Sequence, residues 1–221
     1  MLRQPLQGQD SMRLLIVARV VGMALGALLV AQCASREDDR FHVGQSPRAF
    51  VIIGVAEAAT NTEPNYTMLW RRLDAAGRFD PYDDDTIFQP RTHSRNSVRI
   101  RGIPGEFALA EVEPGIYALD SVFALERAGE VNYSANGVIT GPERPSFEVR
   151  PGEAVYLGIW QMDLEDVTAV TRPWRLDQSD LRAVLRQADP LVGDVRVRET
   201  QTRAVVCEPR RLNANSQRQI C

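Results

Sequence analysis

Side chains that could serve as catalytic bases, nucleophiles or metal ligands are few in this chain of 221 residues. Imidazole comes only from His42 and His93, and all 26 basic residues are arginine, which excludes lysine nucleophiles, Schiff bases and the lysine of a P-loop. The sequence also lacks a Gly-x-Ser-x-Gly elbow, a His-Glu-x-x-His helix and a glycine-rich phosphate loop. A serine beside a histidine in sequence is not a triad, so His93 and Ser94 predict an ordinary surface loop. We therefore expect no catalytic residue, no bound metal and no cofactor.

Carboxylates are abundant, and they leave two other chemistries open. Asp80 and the run Asp83 to Asp85 crowd one short segment, and oxygen ligands of this kind suit Ca²⁺. Because the segment lacks the ligand alternation and the glycine of an EF-hand loop, we expect a solvated loop instead. An Asp/Glu pair that acts as acid and base has no fixed spacing in sequence, and a carboxylate-dependent hydrolase is therefore the main alternative to a non-enzymatic protein.

Arginines alternate with apolar residues near the middle of the chain. Strict alternation places Val98 and Ile100 on one face of a strand and Arg99 and Arg101 on the other. The arginine face could meet anionic headgroups or an acidic protein, or it could be the wet side of a half-buried strand. Nucleic acid is not an expected partner, because removing residues 1–32 leaves 23 basic and 28 acidic residues.

The N-terminus has the composition of an export signal. Arg3, Arg13 and Arg19 make it basic, and the uncharged run from Val20 to Ala31 is shorter than the roughly 20 residues that a membrane-spanning helix needs. A charged stretch follows this run. Residues 1–32 are therefore predicted to form a signal or anchor helix, and the chain is expected to work outside the cytoplasm.

Cys33 gives this signal its most specific feature. Residues 29–33, Leu-Val-Ala-Gln-Cys, resemble the lipobox of bacterial lipoproteins, in which the cysteine is acylated and becomes the first residue of the mature chain. One position departs from that pattern, because the family prefers Gly, Ala or Ser where Gln32 stands. The resemblance implies lipid attachment at Cys33, and Ala34 in place of an aspartate points to the outer membrane. The alternative is an uncleaved anchor, which Arg19 would interrupt.

The cysteine count agrees with lipidation. Three cysteines leave one unpaired thiol in an exported protein, and acylation of Cys33 would remove it. Cys207 and Cys221 would then form a disulfide in an oxidising compartment. The alternatives are a metal site, which lacks a nearby histidine, and a pair of exposed thiols on a frayed tail.

Turn residues divide the rest of the chain into short apolar runs, which is typical of an antiparallel β-sandwich. The continuous apolar run 49–56 predicts a strand buried on both faces, and 66–73 predicts the next strand. Residues 33–48 are polar, and we interpret them as a flexible tether. The sandwich domain is expected to span residues 49–206. Residues 207–221 are expected to form a polar tail that only a bridge at Cys221 would hold in place.

Two Pro-Gly turns give the clearest architectural signal. The first set consists of the arm 106–112, the turn Pro114-Gly115 and the arm 116–125. The second set consists of the arm 146–149, the turn Pro151-Gly152 and the arm 154–162. Proline sets φ and glycine accepts a positive φ in such turns, so each set predicts a β-hairpin. The second arm of each hairpin is apolar on both faces and is expected to be a central strand.

Alternation along the last of these arms assigns its large side chains to two faces. Trp160 and Tyr156 are predicted to share one face, and Leu157 and Ile159 the other. Such a strand could not be exposed in any register without exposing a large apolar area.

The segment 127–145, between the two sets, is rich in glycine and asparagine and predicts a long loop with at most one short strand. Long loops are where a β-domain commonly carries its binding function. Asn132, Asn136 and Gly137 are therefore candidate binding residues.

A resemblance follows from these turns and strands. The Pro-Gly turns, each followed by a strand that contains a tyrosine, resemble those of uncharacterised Gram-negative lipoproteins with a small transthyretin-like (prealbumin-like) β-sandwich. The resemblance covers roughly residues 49–163. It implies an envelope-anchored domain and brings no catalytic residues to transfer.

One short helix is predicted near the C-terminus, at about residues 179–188. Asp177 or Ser179 could cap it, and Asp189 with Pro190 would end it. Its apolar residues fall on one face, so we expect the helix to lie on the sandwich.

The sequence thus favours a mainly β envelope lipoprotein with a non-enzymatic binding or structural role. We expect it on the periplasmic face of the outer membrane, held there by its lipid anchor and partnered by an envelope protein. The candidate binding surface comprises Arg99, Arg101, Asn132, Asn136 and Gly137. A deep cleft with two close carboxylates would favour a periplasmic hydrolase instead, and an unpaired strand edge or exposed apolar patch would favour an envelope-assembly or secretion accessory protein.

Overall fold

The structure, a computed structural model, describes residues 39–58, 64–94, 98–128, 131–139 and 141–221. The predicted signal 1–32 and the predicted lipid site Cys33 lie outside the described residues. Arg40–Cys221 forms one compact unit. No helix in the described part of the chain is both long enough and apolar enough to cross a membrane.

The described elements are mainly strands, with one α-helix and one short 3₁₀ turn, Asp84–Thr86. The helix α1 spans Gln178–Ala188. The strands are β1 (Phe41–His42), β2 (Ala49–Glu57), β3 (Asn65–Arg72), β4 (Ile87–Phe88), β5 (Val98–Arg99), β6 (Gly105–Val112), β7 (Gly115–Ala128), β8 (Val131–Val138), β9 (Glu143–Val149), β10 (Ala154–Glu165), β11 (Thr168–Arg175), β12 (Leu191–Val192), β13 (Arg196–Val197), β14 (Gln201–Ala204), β15 (Arg210–Arg211) and β16 (Gln219–Ile220).

Most strands belong to two six-stranded sheets. Sheet 1 has the order β11–β10–β2–β6–β5, with β13 beside the N-terminal part of β10. Sheet 2 has the order β14–β9–β7–β3–β4, with β8 beside the C-terminal part of β7. The prediction of a mainly β, sandwich-like fold is confirmed. It is not antiparallel throughout, because β2 and β10 run parallel.

Two hydrophobic cores hold these layers together. The inner core lies between the sheets, where Trp70 meets Trp160 edge-to-face at 5.4 Å and Tyr117 stacks on Phe147 at 5.3 Å. The outer core lies on the opposite face of sheet 1, beneath α1. Because β2 contributes to both cores, the run 49–56 is continuously apolar.

The predicted C-terminal helix is confirmed. It begins after Asp177, whose carboxylate accepts a hydrogen bond from the backbone N–H of Ser179 at 2.7 Å, and it ends before Asp189. Leu181 and Val184 are buried in the outer core. The helix therefore lies on the sandwich, as its apolar face predicts.

The hairpin prediction for the two Pro-Gly turns is wrong. The first turn leads from β6 in sheet 1 to β7 in sheet 2, and the second leads from β9 in sheet 2 to β10 in sheet 1. Each turn is therefore a corner between the sheets. β7 and β10 are central strands, as predicted, and other strands already occupy both of their edges, so neither has an edge left for the arm that precedes it.

A β-bulge changes the predicted faces of β10. The register with β2 shifts between Tyr156 and Ile159, and Gly158, within the shift, has a φ of 79°. Trp160 consequently shares the inner core with Leu157, whereas Tyr156 and Ile159 both belong to the outer core. The predicted pairing of Trp160 with Tyr156 is wrong because it assumed an unbroken strand.

The segment 127–145 is not the predicted long loop. β7 continues to Ala128 and pairs with β8 along the whole of β8. Ala135 and Gly137 on β8 are both buried and small, so the strand shows little of the apolar alternation that identifies strands in a sequence.

Residues 33–38 of the predicted tether 33–48 lie outside the described residues, and residues 40–48 do not form a tether. The ring of Phe41 is part of the outer core, with 3% of the residue exposed, and β1 pairs in parallel with β12. One buried ring and one strand pairing thus order a stretch whose other residues are mostly polar.

The predicted disulfide between Cys207 and Cys221 is confirmed, with the two Cα atoms 4.8 Å apart. We call the bridged segment 207–221 the strap. It is held by more than the disulfide, because β15 pairs with β16, Ile220 is fully buried, and the N–H of Cys221 donates to the carboxylate of Asp120 at 3.1 Å. The expectation of a tail tied only by its bridge is therefore wrong.

Candidate binding clefts

Three of the predicted binding residues are exposed, but they lie on different sheets. Arg99 on β5 and Arg101 in the turn that follows are exposed at sheet 1, and Asn132 is exposed on β8 of sheet 2. The sequence alone could not assign these residues to one surface, because it does not reveal which strands share a sheet.

Asn136 and Gly137 have structural roles. The side chain of Asn136 donates to the carbonyl of Gln217 and accepts from the N–H of Gln219, both at 3.0 Å, and so holds the strap. Gly137 is buried, and a Cβ at this position would lie 1.6 Å from the carbonyl oxygen of Ala169. Gly137 is therefore not part of an exposed surface, because its small size allows close approach of β11, whereas Asn136 is half-buried and holds the strap.

A cleft of about 350 Å³ opens between an edge of sheet 1 and an edge of sheet 2. We call it the β4–β6 cleft. β6 forms one wall, and β4 with the residues after it forms the other. The lining consists of Ile87, Phe88, Gln89, Arg91, Ser94 and residues 107–112.

The cleft exists because β6 is only partly covered. β5 pairs with β6 at two positions, Val98↔Phe107 and Arg99↔Glu106. Beyond these, no strand in the described part of the chain pairs with residues 108–112 on the side away from β2. This free edge contains no proline and no lysine, two residues with which proteins commonly protect an exposed edge. Because the whole chain lacks lysine, this composition does not distinguish the edge in the sequence.

Arg91 supplies positive charge at the cleft. The residue is exposed, and its backbone forms an isolated bridge with Thr67. Its guanidinium makes no ion pair with any other described residue, unlike many arginines of this chain. It is therefore available to a ligand that carries a carboxylate or another anionic group.

No protein-family model, curated protein or solved structure matches this chain. The resemblance to transthyretin-like lipoproteins stays a prediction. A function for this protein is therefore inferred from its clefts and its charged side chains.

A second cleft, of about 530 Å³, shares Arg91 and Ser94 with the first, and we call it the His93 cleft. His93 has a φ of 56°, which is uncommon for a residue other than glycine. Its Nε2 lies 3.0 Å from a carboxylate oxygen of Glu57, and its backbone N–H donates to Glu106 at 2.6 Å. His93 is thus an exposed residue whose imidazole contacts Glu57 and whose backbone N–H is bonded to Glu106.

Tyr66 lines the His93 cleft as a neutral phenol. Burial raises the pKa of Tyr66 to about 12, and the nearby carboxylates of Asp163, Glu57 and Glu126 add to the effect. The hydroxyl is buried and has no hydrogen-bond partner in the described part of the chain. The hydroxyl is therefore protonated near neutral pH and does not act as a base there.

Sheet 2 buries charged side chains that sequence reasoning missed. The carboxylate of Asp120 lies 2.8 Å from the guanidinium of Arg71, and it also accepts the N–H of Cys221. Arg144 donates to the backbone carbonyls of Leu119 and Asp120 at 3.0 Å, and burial lowers the pKa of its guanidinium. These contacts are internal, and those of Asp120 and Arg71 with Cys221 hold the strap. An aspartate inside an apolar strand, such as Asp120, is the sequence signal that could have revealed them.

The aspartate-rich segment forms a short turn. Asp83 precedes the 3₁₀ turn Asp84–Thr86, and its N–H is bonded to the hydroxyl of Thr86 at 3.1 Å. Within the described residues, no group of three or more His, Cys, Asp or Glu side chains is arranged to hold a metal ion.

Proposed function

We propose that this chain is an anchored binding module of the cell envelope, attached by a lipid at Cys33, and that it binds its partner in the β4–β6 cleft. The signal-like N-terminus and the lipobox-like residues 29–33 support the anchoring. The observation that carries the binding role is the free edge of β6 at residues 108–112. An unpaired edge beside a cleft is a ready-made contact surface for a partner.

The chemistry of the cleft favours binding over hydrolysis. A hydrolase of the two-carboxylate type needs an acid and a base about 5 to 10 Å apart, on either side of the bond that is cleaved. Glu111 is the one carboxylate among the described residues that line the β4–β6 cleft. The apolar and backbone groups that dominate the lining suit recognition instead.

Site-specific photo-cross-linking in cells tests the binding role. A photoreactive side chain at Ser94, in the cleft, should capture an envelope protein, and one at Ala75, in an exposed turn, should not. The same capture from both positions, or none from Ser94, would contradict the proposal.

Anchoring is tested separately by changing Cys33 to Ser. We expect the variant to leave the membrane fraction, and the parent to carry acyl chains by intact mass, because lipobox acylation supplies several chains. A Cys33→Ser protein that stays fully in the membrane fraction, beside a parent without acyl mass, would favour the uncleaved anchor.

A hydrolase centred on the His93 cleft is the second candidate. The observation that favours it is the 3.0 Å contact between the imidazole Nε2 of His93 and a carboxylate oxygen of Glu57, because a carboxylate that orients an imidazole is a common part of a general base. Assays of the parent with ester, peptide and glycoside substrates decide the matter. Turnover that Glu57→Gln abolishes would establish this candidate, and no turnover by the parent would dismiss it.

A further inference from the structure

The free edge of β6 presents backbone groups in a defined pattern. The carbonyl of Gly105 accepts the N–H of Ile100 at 3.0 Å, so Gly105 points its backbone groups toward β5. Successive residues of an antiparallel strand point these groups to opposite edges, and every second residue therefore points the same way as Gly105. Leu109 and Glu111 accordingly direct their N–H and C=O groups into the free edge.

These groups form a template for one more strand. The stretch 108–112 spans about 17 Å at roughly 3.3 Å per residue, which matches a segment of about five residues. In the described part of the chain no strand satisfies its two donors and two acceptors on that side. A polypeptide supplies the complementary groups at the right repeat, whereas a lipid tail or an aromatic ligand does not.

The opposite wall of the cleft adds a preference for charge. Arg91 is exposed there and has no ion-pair partner among the described residues. Its neighbours in that wall, Ile87 and Phe88, are apolar. The backbone of a bound segment would bond to β6, and every second side chain would face this wall and would be apolar. A carboxylate near Arg91 would increase the affinity of the segment.

We propose that the β4–β6 cleft binds an extended segment of a partner polypeptide, which adds a strand to β6 and places an acidic side chain beside Arg91. This inference rests on the proposed function and names the chemistry of the partner. The segment bonds through its backbone to Leu109 and Glu111, so its sequence matters mainly through the alternation of its side chains and one acidic residue.

Two synthetic peptides of alternating Val and Thr, which differ only in a central Glu or Lys, test the charge preference. Binding to the detergent-extracted full-length protein is measured by fluorescence anisotropy. We expect the Glu peptide to bind about threefold to fivefold more tightly, as for an exposed ion pair. Arg91→Glu should reverse this order, and equal binding of both peptides by parent and variant would overturn the role of Arg91.

Leu109→Pro tests the strand addition itself. Proline removes the N–H that points into the free edge and leaves the bonds between β6 and β2 in place, so we expect both peptides to bind about tenfold more weakly. Thr202→Pro, on the edge strand β14 of sheet 2, is the matched control. The N–H of Val205 donates to the carbonyl of Pro142 and so points toward β9, and because successive residues alternate, the N–H of Thr202 points outward. The control should bind as the parent does, and undiminished binding by a folded Leu109→Pro protein would overturn the inference.

Amide exchange keeps the test decisive if Leu109→Pro does not fold. In the parent, the amides of Leu109 and Glu111 should exchange more slowly when the Glu peptide is added, and unchanged exchange would overturn strand addition. A dimer of the free protein that buries the same amides would also overturn it, because a second copy would then be the occupant. Cross-linking from Ser94 separates the two proposals: capture without peptide binding leaves the binding module standing and rejects only the extended segment.

Discussion

At the scale of single residues, Trp160 shows how a bulge places a large side chain. It is 1% exposed, packs edge-to-face against Trp70, and donates its indole N–H to the carbonyl of Leu157 at 3.2 Å. We predict that Trp160→Ala lowers the free energy of unfolding by about 3 to 5 kcal/mol, because it leaves a cavity in the inner core. Denaturant melts measure this loss. Trp174→Ala is the control, since Trp174 is 46% exposed and its removal should change stability by about 1 kcal/mol or less.

Gly137 is a second test at this scale. The sequence predicts a long loop at this position, whereas a Cβ there would lie 1.6 Å from the carbonyl oxygen of Ala169. We predict that Gly137→Ala lowers the free energy of unfolding by about 1 to 3 kcal/mol or more, because the backbone of β11 must move. Gly141→Ala is the control, since no atom lies within 4 Å of its added Cβ. Equal melting temperatures for the two variants would contradict the close packing of β8 and β11.

At the scale of elements, the helix cap gives a prediction that depends on pH. Hydrogen bonds from Ser179, first from its backbone N–H, hold the pKa of Asp177 below its ordinary value of 3.8. A carboxylate with a depressed pKa stabilises the fold above that ordinary value, and the stabilisation is lost as pH falls through the lower, folded-state pKa. Asp177→Ala should therefore melt at a lower temperature than the parent near neutral pH, and the difference should shrink below pH 3.8. A difference that stays constant down to low pH would exclude the ionised cap.

The elements themselves were largely predictable, and their partners were not. The apolar composition of the runs that form β2 and β3 predicts buried strands. The cap residue of α1, and Asp189 with Pro190 after it, predict where the helix begins and ends. Pro-Gly reverses the chain equally well in a hairpin and in a corner between sheets, so local sequence does not reveal which strand a given arm will meet. The same limit hid the β4–β6 cleft, because a free edge is defined by the strand that fails to cover it.

At the scale of the whole molecule, the strap links the disulfide to the β4–β6 cleft. Cys221 donates its N–H to Asp120, and Arg218 donates to the side-chain oxygen of Gln89 at 3.1 Å. Gln89 lines the cleft, and Asp120 lies in the buried ion pair with Arg71. The strap therefore supports the wall of the cleft that faces β6.

Removing the bridge tests this link. With Cys207 and Cys221 changed to Ser, we predict that the free energy of unfolding falls by about 3 kcal/mol. The two cysteines are 14 residues apart in sequence, and this is the loss expected when a loop of that length is no longer closed. Amide exchange should quicken first at Ile220 and then at Phe88, because the contact between the strap and Gln89 weakens. Cys33→Ser serves as the control and should leave both amides unchanged. If the bridge-free protein protects Phe88 as well as the parent does, the strap does not support this wall of the cleft.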